Sequence, residues 1–237
     1  DFDRDTQVRR IYMTDYRENS APKLISELNI RDRYNDIGQP VMKTLPNGRS
    51  VILQNGDEIY LTGAGASPEG DRPFLRKMNL NTLKTDEIFR SGTEEYEAFV
   101  ALTNDNGTQF ITRKESLTMP PNLVLNDTAR RIAPRQITNF ADPTPQLRGI
   151  TKQLVKYKRA DGVDLSFTLY LPPNYKKGTR LPTVVWAYPQ SFTNASTAGQ
   201  VAGSTNRFTS IGGYSHLYFV LQGYAVLDET AMPVVGP

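Results

Sequence analysis

The sequence has 237 residues, of which 38% are hydrophobic and 22% charged, proportions typical of a globular protein rather than a disordered or membrane-embedded one. Its 28 basic and 25 acidic residues give a net charge of +3, and no run of five basic residues occurs, so nucleic acid is not an expected partner. The absence of cysteine excludes disulfides, thiol catalysis and thiolate metal sites, and no apolar run approaches the roughly 18 residues of a membrane span.

Short segments of alternating apolar and polar residues fill residues 1–140, and clusters of Asn, Gly, Asp and Pro separate them. Three Asn-Gly pairs favour hairpin turns, because both residue types tolerate a positive φ: Asn47-Gly48, Asn55-Gly56 and Asn106-Gly107. At roughly 40–45 residues per blade, this length predicts about three blades of a β-propeller. Propellers usually close with four to eight blades, so the region is either part of a larger propeller or a different β fold.

The pattern changes across residues 141–151, where Pro143 and Pro145 indicate a linker. Residues 152–237 begin with a predicted hairpin that turns at Asp161-Gly162. The apolar runs that follow, LPTVVWAYP and YAVLDETAMP, are typical of strands buried on both faces, and SHLYFVLQG between them predicts a helix. Strand, helix and strand in this order indicate the start of an α/β sheet.

The segment GGYSHL places Ser215 beside His216, the only histidine of the chain. A nucleophile elbow needs G-x-S-x-G between a buried strand and a helix, but Leu217 stands at the final glycine position and RFTSIGG does not predict a buried strand. Ser215 is therefore predicted to be the N-cap of the helix, with Gly223 as its C′ glycine. His216 is predicted to be a surface or supporting residue rather than a general base.

Several segments resemble a known family in its own chain order. They are YLTGAGASPEGDRPFLRKMNLNTLKT, ITRKESLTMPPNLVL, ITNFADPTPQLRGITKQLVKYKRADGVDLSFTLYLPPNY, VVWAYPQSF, AGQVAGSTNRF and GYAVLDETAMPVVG. Through them the chain resembles the prolyl oligopeptidase family of serine peptidases, and in particular its glutamyl-endopeptidase-like branch. The resemblance covers most of the chain.

That resemblance implies a fold and an activity. Residues 1–140 would be the last blades of a propeller, and residues 152–237 the first strands of an α/β-hydrolase domain, truncated before the nucleophile elbow. The family's GGHSYGA-like elbow is absent, and so are the later aspartate and histidine of the triad. The intact protein would hydrolyse peptides through an acyl-enzyme, with no cofactor or metal. This chain would be inactive alone and would have the remainder of the same protein as its partner.

Two site residues follow from the resemblance. Tyr188, at the end of VVWAYP, matches the tyrosine whose hydroxyl contributes to the family's oxyanion hole; the alternative is a packed aromatic at a strand end. Arg207 is the only cation of the loop AGQVAGSTNRF. It would pair with an acidic substrate side chain, which would suit cleavage after glutamate, or else it stabilises the loop.

A second function remains open at this point, a non-catalytic β-rich binding module with an appended α/β segment. The reading frame after Pro237 separates the two, because a G-x-S-x-G about 40 residues further on would indicate the peptidase. The lack of cysteine, together with the exported bacterial members of the family, favours the periplasm or the cell exterior.

Overall fold

The computed structural model describes residues 1–15, 17, 20–130 and 132–236. In chain order its first strands are β1 (Phe2–Asp3), β2 (Val8–Met13), β3 (Lys23–Asn29), β4 (Gln39–Pro40), β5 (Met42–Thr44), β6 (Ser50–Ile52), β7 (Gln54–Asn55), β8 (Glu58–Gly63), β9 (Phe74–Asn79), β10 (Thr85–Arg90), β11 (Tyr96–Leu102), β12 (Gln109–Glu115), β13 (Asn122–Asp127) and β14 (Arg135–Gln136). A 3₁₀ turn (Pro145–Leu147) precedes β15 (Thr151–Lys158), β16 (Asp164–Leu171), β17 (Thr183–Phe192), α1 (Ala195–Ala198), α2 (Tyr218–Leu221) and β18 (Ala225–Val235). In the described part of the chain, no helix is long and apolar enough to cross a bilayer.

Three antiparallel sheets succeed one another along the first part of the chain. Their strand orders are β1-β2-β3, then β10-β9-β8-β4 with β7 also paired to β8, then β11-β12-β13-β14. Strands β5 and β6 form a separate two-stranded ribbon. Small antiparallel sheets in succession confirm the blade-like organisation that the turn pattern predicts.

The predicted hairpin glycines have the backbone conformation that the turns require. Gly48, Gly56 and Gly107 have φ values of +79°, +59° and +70°, and they lie between β5 and β6, β7 and β8, and β11 and β12. Residues with a Cβ rarely adopt this region. Local turn chemistry in the sequence therefore fixed these three chain reversals.

Apolar clusters between the antiparallel sheets hold them together. Tyr60 on β8 and Leu75 on β9 pack with Phe110 on β12, which joins the second sheet to the third. On the other side of β8, Ile59 and Leu61 pack against Ile25 of β3, which joins the second sheet to the first. Alternate residues of β8 thus face opposite neighbours. Each fully buried aliphatic or aromatic side chain contributes about 1.5–3 kcal/mol.

The last sheet is mixed, with the strand order β15-β16-β18-β17. Strands β15 and β16 form the hairpin predicted at Asp161-Gly162, and β18 is antiparallel to β16 but parallel to β17. A parallel pair needs a long crossover, and here residues 193–224 supply it with α1 and α2. This parallel pair lies in the region where the sequence predicts an α/β arrangement. The assignment of residues 152–237 to a hydrolase domain and the boundary at residues 141–151 stay predictions.

Two local expectations in this region were wrong. The helix predicted from SHLYFVLQG has only four residues, and its N-cap is Leu217 rather than Ser215. The Ser215 hydroxyl instead accepts a hydrogen bond from the Leu217 N–H at 3.2 Å, which closes a short turn before the helix begins. Gly223 does have the predicted positive φ, at +87°.

Strand β17 is also less buried than its apolar sequence predicts. Val185, Trp186 and Tyr188 all remain more than half exposed. Apolar strands of α/β sheets are buried when helices cover both faces. Within the described residues, the crossover of β17 contains only two four-residue helices, too little to cover the strand.

Candidate functional site

Tyr188 lies on the wall of an open cavity of about 460 Å³, here called the Tyr188 cavity. Trp186 and Gln190 of β17, Met232 of β18 and Arg31, from the turn after β3, also line this cavity. Tyr188 is 79% exposed, and its hydroxyl has no hydrogen-bond partner among the residues that the structure describes. Among the described residues, the hydroxyl is therefore free to donate to a bound molecule. Its catalytic role stays a prediction.

An irregularity in β18 shapes this cavity. Val185 pairs with Leu227 and Ala187 pairs with Thr230, so Asp228 and Glu229 form a bulge opposite β17. Glu229 has a φ of +51°, an uncommon value for a residue with a side chain. Bulges and strained residues cluster at functional sites, where they redirect side chains.

Glu229 lies at the border between two cavities, since it lines both the Tyr188 cavity and a neighbouring one. Burial raises the pKa of its carboxyl, and the adjacent Asp228 raises it further, while Arg33 lowers it. Arg33 is itself engaged with Asp71 at 3.2 Å. The bulge thus brings a carboxylate with an increased proton affinity to the edge of the site.

The neighbouring cavity, of about 540 Å³, contains Arg207 and is here called the Arg207 cavity. The Nε of Arg207 lies 3.8 Å from a carboxylate oxygen of the buried Glu115, and its guanidinium lies 5.1 Å from the ring centre of Tyr96. Glu115 also accepts the Phe208 N–H at 2.9 Å. These contacts match the loop-stabilising interpretation of Arg207. Arg207 and Tyr188 line different cavities, so the structure does not bring the two predicted site residues together.

Lys152 is a further cation of the Arg207 cavity. Burial, and then repulsion by Arg207, lower the pKa of Lys152 to about 8. Its ammonium donates to the Arg207 backbone carbonyl at 3.1 Å and lies 5.5 Å from the ring centre of Tyr170. Burial also raises the pKa of Tyr170, and Asp228 and Glu229 raise it further. This group of titratable side chains was not anticipated from the sequence.

His216 has a supporting position. Its Nε2 lies 2.5 Å from the Asp228 carboxylate, and its ring stacks on Trp186 with centres 4.5 Å apart and planes at 11°. The imidazole therefore connects the bulge of β18 with the wall of the Tyr188 cavity. The Ser215 hydroxyl is used in its own turn, so these contacts agree with the prediction that Ser215 and His216 are not a nucleophile and its base.

Three residues that line the two cavities were missed by sequence reasoning: Arg31, Asp228 and Glu229. The acidic pair carried a usable signal, because it interrupts an otherwise apolar strand segment, AVLDETAMP. Arg31 carried none. Arg31 lies in the turn after β3, 157 positions before Tyr188 (188 − 31), and no sequence motif connects the two segments.

Comparison with known proteins gives relatives for most of the chain, although no family model matches it. A rice protein, "Probable glutamyl endopeptidase, chloroplastic", is 37% identical over 236 residues, which cover 91% of this chain and 25% of that protein. The Arabidopsis thaliana protein of the same description is 35% identical over 233 residues, with 91% and 24% covered. The chain thus spans about a quarter of the length of these relatives.

Among solved structures, Porphyromonas gingivalis dipeptidyl peptidase 4 superposes on 97% of this chain and 36% of its own, with a TM-score of 0.51 and 13% identity. At that identity the likeness shows a shared fold.

Proposed function

We propose that this chain, which is similar to two plant proteins described as probable glutamyl endopeptidases, belongs to the prolyl oligopeptidase family of peptidases and is part of a serine peptidase that hydrolyses peptides through an acyl-enzyme. One observation supports this most: Tyr188 presents a free, exposed hydroxyl to an open cavity between an antiparallel sheet and the mixed sheet. A peptide substrate enters the Tyr188 cavity, with its scissile carbonyl near this hydroxyl.

Tyr188 acts as one donor of the oxyanion hole. A phenol O–H that points at the developing oxyanion stabilises the tetrahedral intermediate more than the planar ground state, and so lowers the barrier to acylation. A backbone N–H beside the nucleophile provides the second hydrogen bond.

The nucleophile comes from another part of the longer protein. The 237 residues contain no G-x-S-x-G, and among the described residues no serine hydroxyl is hydrogen-bonded to the ring of their single histidine, which contacts Asp228. A triad needs a serine whose proton passes to a free imidazole nitrogen that a carboxylate orients. This chain contributes a propeller section and the oxyanion tyrosine, and it hydrolyses no peptides by itself.

The remainder of the same protein is the partner that covers β17 and β18. Val185, Trp186, Met232 and Val234 on these strands are each more than half exposed. Contiguous exposed apolar side chains indicate a surface that another segment covers. The alternative, a non-catalytic binding module, would use the same exposed apolar surface to bind a partner.

The experiment is steady-state kinetics of Tyr188→Phe in the full-length protein on a peptide amide. Removal of one oxyanion donor lowers kcat by roughly 10²–10³-fold with little change in KM, because the bond forms mainly in the transition state. Tyr218→Phe is the matched control, since Tyr218 lies on α2 and lines neither cavity. Thermal melting of both variants checks folding. A Tyr188→Phe protein with wild-type kcat would exclude the oxyanion role.

A further inference from the structure

The bulge in β18 determines how the strand that carries Tyr188 is paired. Before the bulge, β18 pairs with both β16 and β17, and its pairing with β16 ends at Asp228. After the bulge, β18 pairs with β17 alone, and Tyr188 lies opposite Ala231. Without the extra residue Tyr188 would lie opposite Thr230, and a one-residue shift turns every following side chain of a strand to the other face. The surroundings of Tyr188 therefore depend on this bulge.

The Asp228 carboxylate caps the bulge. Its Oδ1 accepts the N–H of Glu229 at 3.0 Å and the Nε2–H of His216 at 2.5 Å. Glu229 has a φ of +51°, a conformation that persists in a residue with a side chain only where the surrounding contacts hold it. A carboxylate oxygen shared by two N–H donors is such a contact, because hydrogen bonds to an ionised acceptor are stronger than neutral ones.

His216 fixes this carboxylate from outside β18. Its imidazole comes from the loop before α2 and stacks on Trp186, with ring centres 4.5 Å apart and planes at 11°. Trp186 is the β17 residue that faces the bulge, since it lies between the paired positions Val185 and Ala187. The side chains of His216 and Asp228 are only 19% and 16% exposed, so little water competes for their hydrogen bond. One imidazole thus contacts both strands at the position of the bulge.

The same position is close to Tyr188 along β17. Trp186 and Tyr188 are two residues apart, so their side chains lie on one face of the strand, and both line the Tyr188 cavity. An oxyanion donor acts only at hydrogen-bond distance from the developing charge, and a displacement of about 1 Å lowers the rate by up to about 10²-fold. A change in the bulge would therefore reduce the contribution of the tyrosine hydroxyl.

We propose that His216 is a positioning residue for Tyr188, which it orients through its hydrogen bond to Asp228 and the bulge of β18. This inference rests on the proposed function and adds to it a residue that acts at a distance. His216 lines neither cavity, so it orients the oxyanion donor without contact with the peptide.

The test compares two replacements of His216 in the full-length protein with a peptide amide as substrate. His216→Phe keeps a ring that can stack on Trp186 but removes the N–H donor, whereas His216→Gln keeps an N–H donor and removes the ring. In His216→Phe, kcat falls by about 10-fold and KM changes by less than about twofold, because the oxyanion hydrogen bond forms mainly in the transition state. In His216→Gln, kcat recovers to within about threefold of wild type. Tyr214→Phe is the matched control, because Tyr214 is fully exposed in the same loop and lines neither cavity.

A double-mutant cycle shows whether His216 acts through Tyr188. If it does, the protein with both Tyr188→Phe and His216→Phe has a kcat within about twofold of that of Tyr188→Phe alone. A further fall of about 10-fold in the double variant would show that His216 acts on another step, and it would overturn the proposal. A wild-type kcat in His216→Phe, or no recovery in His216→Gln, would also overturn it. Melting temperatures confirm that each variant is folded.

Amide hydrogen exchange of the full-length protein separates this inference from the proposed function. In peptides that cover residues 183–192 and 225–235, exchange becomes about 10-fold faster in His216→Phe and stays unchanged in Tyr214→Phe. If exchange is unchanged in His216→Phe while Tyr188→Phe loses activity, the function stands and the positioning role is wrong. If exchange accelerates while Tyr188→Phe keeps the wild-type kcat, His216 holds the bulge but the proposed oxyanion role fails.

Discussion

The low proton affinity of Lys152 gives a quantitative prediction for stability. The pKa of Lys152 falls from its ordinary 10.5 to about 8 in the folded protein, a difference of 2.5 (10.5 − 8). One pKa unit corresponds to about 1.4 kcal/mol, so the buried ammonium lowers the free energy of unfolding by about 3 kcal/mol at neutral pH. Lys152→Met removes this charge at similar volume. It also removes the hydrogen bond to the Arg207 carbonyl, worth about 1 kcal/mol, which leaves a net gain of about 2 kcal/mol.

The sign of the pH dependence follows from the same two pKa values. Below pH 8 the lysine is protonated in both states, so the destabilisation is complete and constant. Between pH 8 and 10.5 the folded state loses its proton first, the unfolded state binds more protons, and the stability of the wild type rises with pH. Above pH 10.5 both states are neutral, so the charge penalty disappears and the lost hydrogen bond leaves the methionine variant about 1 kcal/mol less stable than the wild type.

Urea denaturation at pH 7 and at pH 10.5 measures this difference between wild type and variant. Lys156→Met is the control, because Lys156 is exposed on the same strand and its replacement changes stability by no more than about 0.5 kcal/mol. A Lys152→Met protein that is less stable than the wild type at pH 7, or whose advantage is the same at both pH values, would refute the reasoning.

Two further predictions concern the first part of the chain. Gly107→Ala places a Cβ 2.1 Å from the buried Tyr60 ring at a φ of +70°, so it lowers the free energy of unfolding by about 3 kcal/mol or more. Gly48→Ala, which has open space around it, lowers the free energy of unfolding by only about 1 kcal/mol. Equal effects of the two changes in urea denaturation would contradict the packing argument. Thr112→Val leaves the buried Glu97 carboxylate without the hydroxyl that donates to it at 2.5 Å, so it lowers the free energy of unfolding by about 2–3 kcal/mol in the same assay. A neutral effect would show that the hydrogen bond contributes little.

Features set by local chemistry were predictable from the sequence. Gly48, Gly56 and Gly107 lie in turns because a positive φ is a property of one residue and its neighbour. The two apolar runs LPTVVWAYP and YAVLDETAMP indicated strands β17 and β18. Neither inference required knowledge of distant contacts.

Features set by tertiary contacts were not predictable. Arg31 lines the Tyr188 cavity because hydrogen bonds such as that of Asn29 with Thr193 join segments more than 160 residues apart in the chain. Polar turn residues show no sequence periodicity from which such long-range hydrogen bonds could be predicted. The helix after Ser215 ended after four residues although its apolar composition favours a longer one, since propensity is a weak guide without packing. The resemblance pointed to Tyr188 and to Arg207 as site residues, and both assignments stay predictions.

The central claim is that this chain supplies an oxyanion donor while the nucleophile lies elsewhere in the longer protein. A fluorophosphonate probe that labels activated serines, followed by peptide mapping of the full-length protein, tests it most directly. The account predicts one labelled serine outside these 237 residues, slower labelling in Tyr188→Phe, and no labelling of the 237-residue chain alone. Labelling of Ser215, lost when Ser215 is changed to alanine, would contradict it.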